Sequence, residues 1–237
     1  MEEKKVPFDR KKHVCYSLLA KKVILSHLKQ HCRPEEVGRL WARIQLQYAD
    51  FLRQTSDMGG KANRHNGVGG TYDCIALFAY YEVLNHEPTV EEIYQMNLEL
   101  LSPASRGMKL LNANRPFSRR LMQHAFEATA KKDEKHRVDW PGNYLMTVEK
   151  LSKTDGIHYR FDKCPIVHFA KKHGYLHLMP AICNADYVLM ENMHAGLIRK
   201  TTCANGACCD FWIVGDRHPA LKEHPRKTDE AGYWYNE

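Results

Sequence analysis

The stretch Asp139-Trp140-Pro141-Gly142 marks the point at which the sequence changes its hydrophobic pattern. Before it, apolar residues recur every three or four positions, which is typical of helices that bury one face. After it come short segments rich in β-branched and aromatic residues, which are typical of strands. The sequence therefore predicts an α+β fold, in which a helical N-terminal half packs on a small, mostly antiparallel sheet in the C-terminal half.

Upstream of this stretch, the helical pattern is clearest in residues 34–52. Apolar side chains there follow an i, i+3, i+4, i+7 spacing, and Pro34 is suited to the first turn of a helix. Similar patterns predict four further helices, over residues 14–32, 74–84, 89–101 and 116–131. The third of these opens with the capping box Thr89-Val90-Glu91-Glu92.

Downstream, four strands are predicted, over residues 144–148, 157–161, 197–202 and 209–214. Residues 165–173 are predicted to form a helix that ends at Gly174. Residues 216–237 are polar and contain proline, and are expected to form a polar tail. We therefore expect one integrated domain, made of a helical region over 1–138, an α+β region over 139–215 and this tail.

The composition is that of a folded globular protein. The 237 residues are 43% hydrophobic and 27% charged, which argues against disordered and fibrous classes. The longest wholly apolar run, residues 74–81, is far shorter than the roughly 20 residues of a membrane-spanning helix. The N-terminal residues also lack the apolar segment of a secretory signal. We therefore expect a cytoplasmic protein with no membrane partner.

The charge balance is modestly basic, with 35 Lys and Arg against 28 Asp and Glu and a net charge of +7. The basic runs are short and interleaved with acids, whereas a nucleic-acid surface usually carries a contiguous basic stripe. Nucleic acid is therefore not an expected partner. A small anionic substrate fits the excess, and the sequence leaves the oligomeric state open.

Residues 59–70 join two predicted helices and contain five glycines. Such a loop lets backbone N–H groups approach a ligand closely, and the N-terminus of the next helix favours an anion. Its spacing matches neither a Walker A motif nor a dinucleotide fingerprint. Two interpretations stay open, a flexible interhelical turn and a ligand-binding loop in which Lys61 and Asn63 provide polar anchors.

Five of the eight cysteines fall between residues 164 and 209. Cys183 and Asp186 are three residues apart and would share one face of a helix. Three interpretations compete: small core residues, a zinc or iron site, and a thiolate nucleophile with acid and base partners. No CxxC pair supports a structural zinc motif, so no cofactor is predicted. If a metal were bound, its ligands would be Cys164, His168, Cys183 and Cys209.

Six short motifs, taken in order, resemble one protein family. They are Gly59-Gly60-Lys61-x-Asn63, Asp139-Trp140, Phe161-x-x-Cys164, Pro180-x-x-Cys183-x-x-Asp186, Gly196-Leu197-x-Arg199-x-x-Thr202 and Gly206-x-x-Cys209-Asp210-Phe211. Their order and spacing resemble the L-2-amino-thiazoline-4-carboxylic acid hydrolase family from about Gly59 to Gly215. Three residues depart from the family pattern, namely Lys200, Cys203 and Cys208.

The resemblance implies hydrolysis of a small cyclic isothiourea or amidine that carries a carboxylate. On this basis Asp186 and Asp210 would hold the cationic N–C–N group, and Arg199 would clamp the substrate carboxylate. Cys183 or Cys209 would be the nucleophile. His168 is a candidate general base, because an imidazole pKa of about 6.5 suits proton transfer at neutral pH. Further substrate-binding candidates are Thr202, Lys61 and Asn63.

The sequence therefore predicts a hydrolase that acts on a C–N or C–S bond of a cyclic amidine, with a small-molecule substrate. The alternative is a sensory module that binds a metal or a small ligand through Cys and His side chains without turnover.

Overall fold

The computed structural model describes residues 17–151 and 155–237, with the side chains at positions 56, 104 and 105 left aside. It confirms the α+β class, with helices in the N-terminal half and a small antiparallel sheet in the C-terminal half. The chain divides into two compact units. The first comprises Met1–Leu100, described from Ser17 onward, and Asp139–Gly142, and the second comprises Leu101–Val138 and Asn143–Glu237.

The first unit is helical. Its elements are α1 (Leu18–His31), α2 (Pro34–Arg53), α3 (Thr71–Val83) and the first part of α4 (Val90–Met108). Residues 14–16 of the first predicted helix lie outside the described part of the chain. All residues of α3 except Glu82 are buried, because this helix is apolar on every side and packs against α1 and α2. The predicted capping box at the start of α4 is confirmed, since the Thr89 N–H donates to Glu92 and the Glu92 N–H donates to Thr89.

The glycine-rich segment of the first unit is folded into short 3-10 turns, over Ser56–Met58, Gly60–Ala62 and Arg64–Asn66. Gly59 between the first two has a φ of +82°, and a Cβ atom at this position would lie 2.4 Å from the Trp140 ring. Only glycine fits both the backbone conformation and the close approach. The change of pattern at residues 139–142 therefore brings a tryptophan against the glycine loop.

The second unit contains a four-stranded antiparallel sheet in the order β1-β2-β4-β3. The strands are β1 (Leu145–Val148), β2 (Ile157–Lys163), β3 (Ala195–Ile198) and β4 (Cys209–Gly215). The third strand ends earlier than predicted, at Ile198. The reason is local: the N–H groups of Lys200 and Thr201 donate to the Asp210 carboxylate, so a side chain takes the place of a neighbouring strand.

The second unit also contains helices. They are the second part of α4, α5 (Pro116–Lys135), α6 (Pro165–His173), α7 (Met179–Cys183), α8 (Ala185–Glu191) and α9 (Ala220–Glu223). Helix α5 packs against β1, and α8 packs against β3. Residues 216–237, expected as a polar tail, form α9 and the hairpin of β5 (Arg226–Thr228) and β6 (Trp234–Asn236), with Tyr233 and Asn236 buried.

The contact between Gly59 and Trp140 gives a testable expectation for stability. Gly59→Ala should lower the free energy of unfolding by about 2–3 kcal/mol, because it adds backbone strain and overlaps the indole ring. Gly174→Ala is the matched control, since Gly174 has a φ of +78° with no atom within 4 Å of the added methyl group. It should cost about 1 kcal/mol. Urea denaturation followed by circular dichroism measures both losses, and equal losses would contradict the role given to Trp140.

Candidate functional site

The second unit is organised around a buried cation, the Arg199 guanidinium. Arg199 is only 1% exposed. Its Nη1 donates to Asp186 Oδ2 at 2.8 Å, and its Nη2 donates to the Cys183 carbonyl oxygen at 3.1 Å. The guanidinium carbon also lies 5.0 Å from the ring centre of Tyr187 and 5.6 Å from that of Phe211. We call these five residues, Cys183, Asp186, Tyr187, Arg199 and Phe211, the Arg199 cluster.

Two consecutive short helices bring Cys183 and Asp186 to the same guanidinium. Residues 181–190, which we expect to place both side chains on one face if they are helical, belong to α7 and α8, and Asn184 between them keeps a helical backbone with φ −70° and ψ −23°. The Asn184 side chain donates to the Gly232 carbonyl and accepts from the Trp234 N–H. The junction is therefore held by the C-terminal hairpin.

Asn236 ties the same hairpin to Arg199, and sequence reasoning missed it. The Asn236 N–H donates to the Arg199 carbonyl at 2.7 Å. Its Oδ1 accepts from the Arg199 N–H at 3.1 Å and from the Tyr187 hydroxyl at 2.8 Å. Residues 216–237 are therefore part of the site. The signal that predicts a strand here is the aromatic run Tyr233-Trp234-Tyr235.

The ion pair is asymmetric in its access to solvent. The Asp186 side chain is 35% exposed, whereas the Arg199 side chain is 1% exposed. Burial raises the pKa of Asp186, and the neighbouring Arg199 charge offsets this only in part. Within the described residues, the Arg199 Nε atom is buried without a hydrogen-bond partner. Asp186 is therefore the end of the pair that a ligand can reach, and a carboxylate there can bind a cation or accept a proton.

The two candidate nucleophiles, Cys183 in the Arg199 cluster and Cys209 on β4, have buried thiols. Burial raises the pKa of Cys183, whose thiol lies beside the Thr202 hydroxyl. Hydrogen bonding with the Cys203 thiol, together with burial, raises the pKa of Cys209. Burial also raises the pKa of Cys164 to about 12. These three groups are electrostatically coupled, so the structure brings them together, but it keeps them protonated at neutral pH.

Asp210 and His168 are placed elsewhere. Along β4 the side chains of Cys209 and Phe211 are buried on one face, so Asp210 between them points to the other face of the sheet. Its carboxylate binds the N–H groups of Lys200 and Thr201 instead of joining Asp186. His168 lies on α6 with its side chain exposed. No contact between its ring and the Arg199 cluster is found in the described residues.

The other three candidates are Thr202, Lys61 and Asn63. Thr202 is buried and its hydroxyl donates to the Asn205 side chain at 2.9 Å. Asn63 belongs to the first unit, where its amide donates to the Met58 carbonyl and accepts from the His65 N–H. Both the NH₂ group and the oxygen of this amide thus form hydrogen bonds within the glycine-rich segment. Lys61, in the same segment, is exposed.

Neither a metal-binding cluster nor a membrane-spanning helix is found in the part of the chain that the structure describes. Residues 17–151 and 155–237 contain no group of three or more His, Cys, Asp or Glu side chains arranged to hold a metal ion. Within the same ranges, none of the helices combines the length and the apolar character that crossing a bilayer requires.

Comparison with known proteins identifies one family. The family model described as L-2-amino-thiazoline-4-carboxylic acid hydrolase matches residues 72–213, which is more than half of the chain. The match includes the Arg199 cluster. No curated protein and no solved structure matches the chain.

A double-mutant cycle tests whether Asp186 and Arg199 stabilise the second unit as a pair. Asp186→Asn should lower the free energy of unfolding by about 2–3 kcal/mol, because it leaves a buried guanidinium without a counter-charge. Arg199→Met should cost less, since the remaining carboxylate is partly hydrated. The double variant should lose less than the sum of the two single losses. Urea denaturation measures all three, and additive losses would show that the pair is not coupled.

Proposed function

The chain belongs to the L-2-amino-thiazoline-4-carboxylic acid hydrolase family, and from this premise we propose that it hydrolyses a small cyclic isothiourea or amidine that carries a carboxylate. The observation that carries the proposal is the position of the Asp186 carboxylate. It is partly exposed, and it forms a hydrogen-bonded ion pair with the fully buried Arg199. A carboxylate in this position offers a cationic N–C–N group a partner of opposite charge.

The reaction that suits this site is addition of water to the ring carbon between the sulfur and the two nitrogens. The water oxygen becomes a carbonyl oxygen as one ring bond breaks. If the C–S bond breaks, one water proton goes to the sulfur and the other to the ring nitrogen, which gives a thiol and an N-carbamoyl group. If the ring C–N bond breaks, both protons go to the leaving nitrogen, which gives an amine and an S-carbamoyl group.

In this proposal Asp186 binds the cationic N–C–N group of the substrate and accepts the proton of the attacking water. Its raised pKa favours the second role, because a base works best when its pKa lies close to the working pH. We assign Arg199 to positioning Asp186 and not to clamping the substrate carboxylate. Both terminal nitrogens of Arg199 are already bonded within the protein, and the side chain is buried.

We propose water and not a thiolate as the nucleophile. A protonated thiol is a poor nucleophile, and the surroundings of Cys183 and Cys209 raise both pKa values. Covalent catalysis by one of these cysteines stays the alternative within the same function. His168 as the base stays a prediction that its exposed position does not support.

The first test is turnover of L-2-amino-thiazoline-4-carboxylate, followed by release of a carbamoyl-cysteine product. Asp186→Asn should lower kcat by about 10²–10⁴-fold, the usual contribution of a general base. Asp162→Asn is the matched control, because Asp162, on β2 of the same unit, is also a partly exposed carboxylate that pairs with an arginine, Arg160. It should leave kcat unchanged. Circular dichroism confirms that each variant is folded.

The same assay separates water from a thiolate as the nucleophile. If water attacks directly, Cys183→Ser and Cys209→Ser should each retain kcat within about tenfold. Loss of all turnover in one of these folded variants would instead establish covalent catalysis. Failure of the wild-type protein to open any member of a panel of cyclic isothioureas and cyclic ureas would contradict the proposed function itself.

A further inference from the structure

The second unit also contains a pair of cysteines, Cys203 and Cys209, that has no role as a pair in the proposed hydrolysis. Cys203 and Cys209 lie at the two ends of the turn that leads into β4. The Cys203 N–H donates to Cys209 Sγ at 3.1 Å, and the Cys203 thiol donates to the Phe161 carbonyl oxygen at 3.2 Å. Both residues are nearly buried, with 8% and 7% exposure. The fold therefore holds the Cys209 sulfur against the Cys203 backbone, without a covalent bond between the two cysteines.

We propose that Cys203 and Cys209 form a reversible modification site, at which a hydroperoxide oxidises the two thiols to an internal disulfide. The contact of the Cys209 sulfur with the Cys203 N–H carries this proposal, because it places the two cysteines side by side, as a disulfide requires. The proposal is independent of the hydrolytic function, since it concerns the state of the protein and not its turnover.

The pKa of Cys203 is lowered, which favours the thiolate that reacts with peroxides, although the nearby Asp162 carboxylate and the hydrogen bond from the Cys203 thiol to the Phe161 carbonyl oxygen favour the thiol. Hydrogen bonding from the Cys209 thiol lowers the pKa of Cys203 to about 7, although burial opposes the shift. The Lys171 ammonium, whose Nζ lies 3.3 Å from the Cys203 carbonyl oxygen, also favours the anion. In this proposal Cys203 attacks and Cys209 completes the disulfide, and the reverse order gives the same product.

Cys208, the residue next to Cys209, provides the contrast. It is more exposed than either member of the pair, so oxidation governed by exposure alone would select it. Burial and the neighbouring Asp210 carboxylate raise its pKa, however, which keeps it as a thiol. If geometry decides which thiols are oxidised, these are Cys203 and Cys209. If exposure decides, it is Cys208.

The chemistry balances with one hydroperoxide. The Cys203 thiolate attacks a peroxide oxygen, the O–O bond breaks, and hydroxide or alkoxide leaves and takes up a proton. The resulting Cys203 sulfenic acid is attacked by the Cys209 sulfur, so that the S–S bond forms, the S–O bond breaks and water leaves. Two thiols are oxidised by two electrons in total, and the peroxide is reduced by the same two. A small thiol reductant reverses the change.

The experiment is oxidation of the native protein with hydrogen peroxide, followed by denaturation, labelling with N-ethylmaleimide and tryptic digestion. Cleavage after Lys200 and Arg217 gives one peptide, residues 201–217, that contains Cys203, Cys208 and Cys209. We expect this peptide to carry three labels before oxidation and one label afterwards, on Cys208, with the mass loss of two hydrogens. Dithiothreitol should restore all three labels.

Cys208→Ser is the matched control, because its peptide should change from two labels to none. Cys203→Ser and Cys209→Ser should form no internal disulfide, and the mapping of the wild-type peptide carries the test if either variant fails to fold. Two results would overturn the proposal. One is oxidation of Cys208 before the pair, and the other is retention of all three labels under conditions that fully oxidise a free cysteine peptide.

Discussion

The neutralisation of Arg199 is the requirement on which the second unit depends. A guanidinium that is 1% exposed is costly to bury unless a negative charge and hydrogen-bond acceptors surround it. Asp186 supplies the charge and the Cys183 carbonyl supplies an acceptor. Both come from the junction of α7 and α8, and the C-terminal hairpin holds that junction through Asn184 and Arg199 through Asn236. One buried cation thus explains why elements far apart in sequence converge.

The arrangement that stabilises the cation also leaves a carboxylate available to a ligand. Asp186 is bound on one side by Arg199 and stays partly exposed on the other, so its position is fixed while it remains accessible. A fixed, partly desolvated carboxylate is suited to bind a cation or to accept a proton. Burial keeps the Cys183 thiol protonated, and the hydrogen bond with Cys203 together with burial does the same for Cys209. The cluster is therefore better prepared for carboxylate chemistry than for thiolate chemistry.

The elements that the sequence predicted well are those governed by local patterns. Periodic apolar residues predicted α2, and enrichment in β-branched and aromatic residues predicted β4, because both signals depend on neighbours within a few positions. The alternation of side chains along a strand places Asp210 and Cys209 on opposite faces, which the expectation of one site containing both did not take into account. The exposure of His168 and the pairing of Arg199 with Asp186 depend instead on packing between distant segments. The sequence analysis missed the C-terminal hairpin because the segment is polar, and polar composition usually indicates an exposed segment. Asn236 is nevertheless buried, since its polar groups form hydrogen bonds within the protein.

The junction at Asn184 also limits how the length of this segment can vary. An α-helix advances by about 100° per residue, so one residue inserted between Cys183 and Asp186 would rotate the carboxylate away from the guanidinium. A deletion would have the same effect in the opposite sense. Insertions and deletions among descendants of this sequence should accumulate in exposed turns and be absent from residues 183–186, whichever substrate each descendant has come to use.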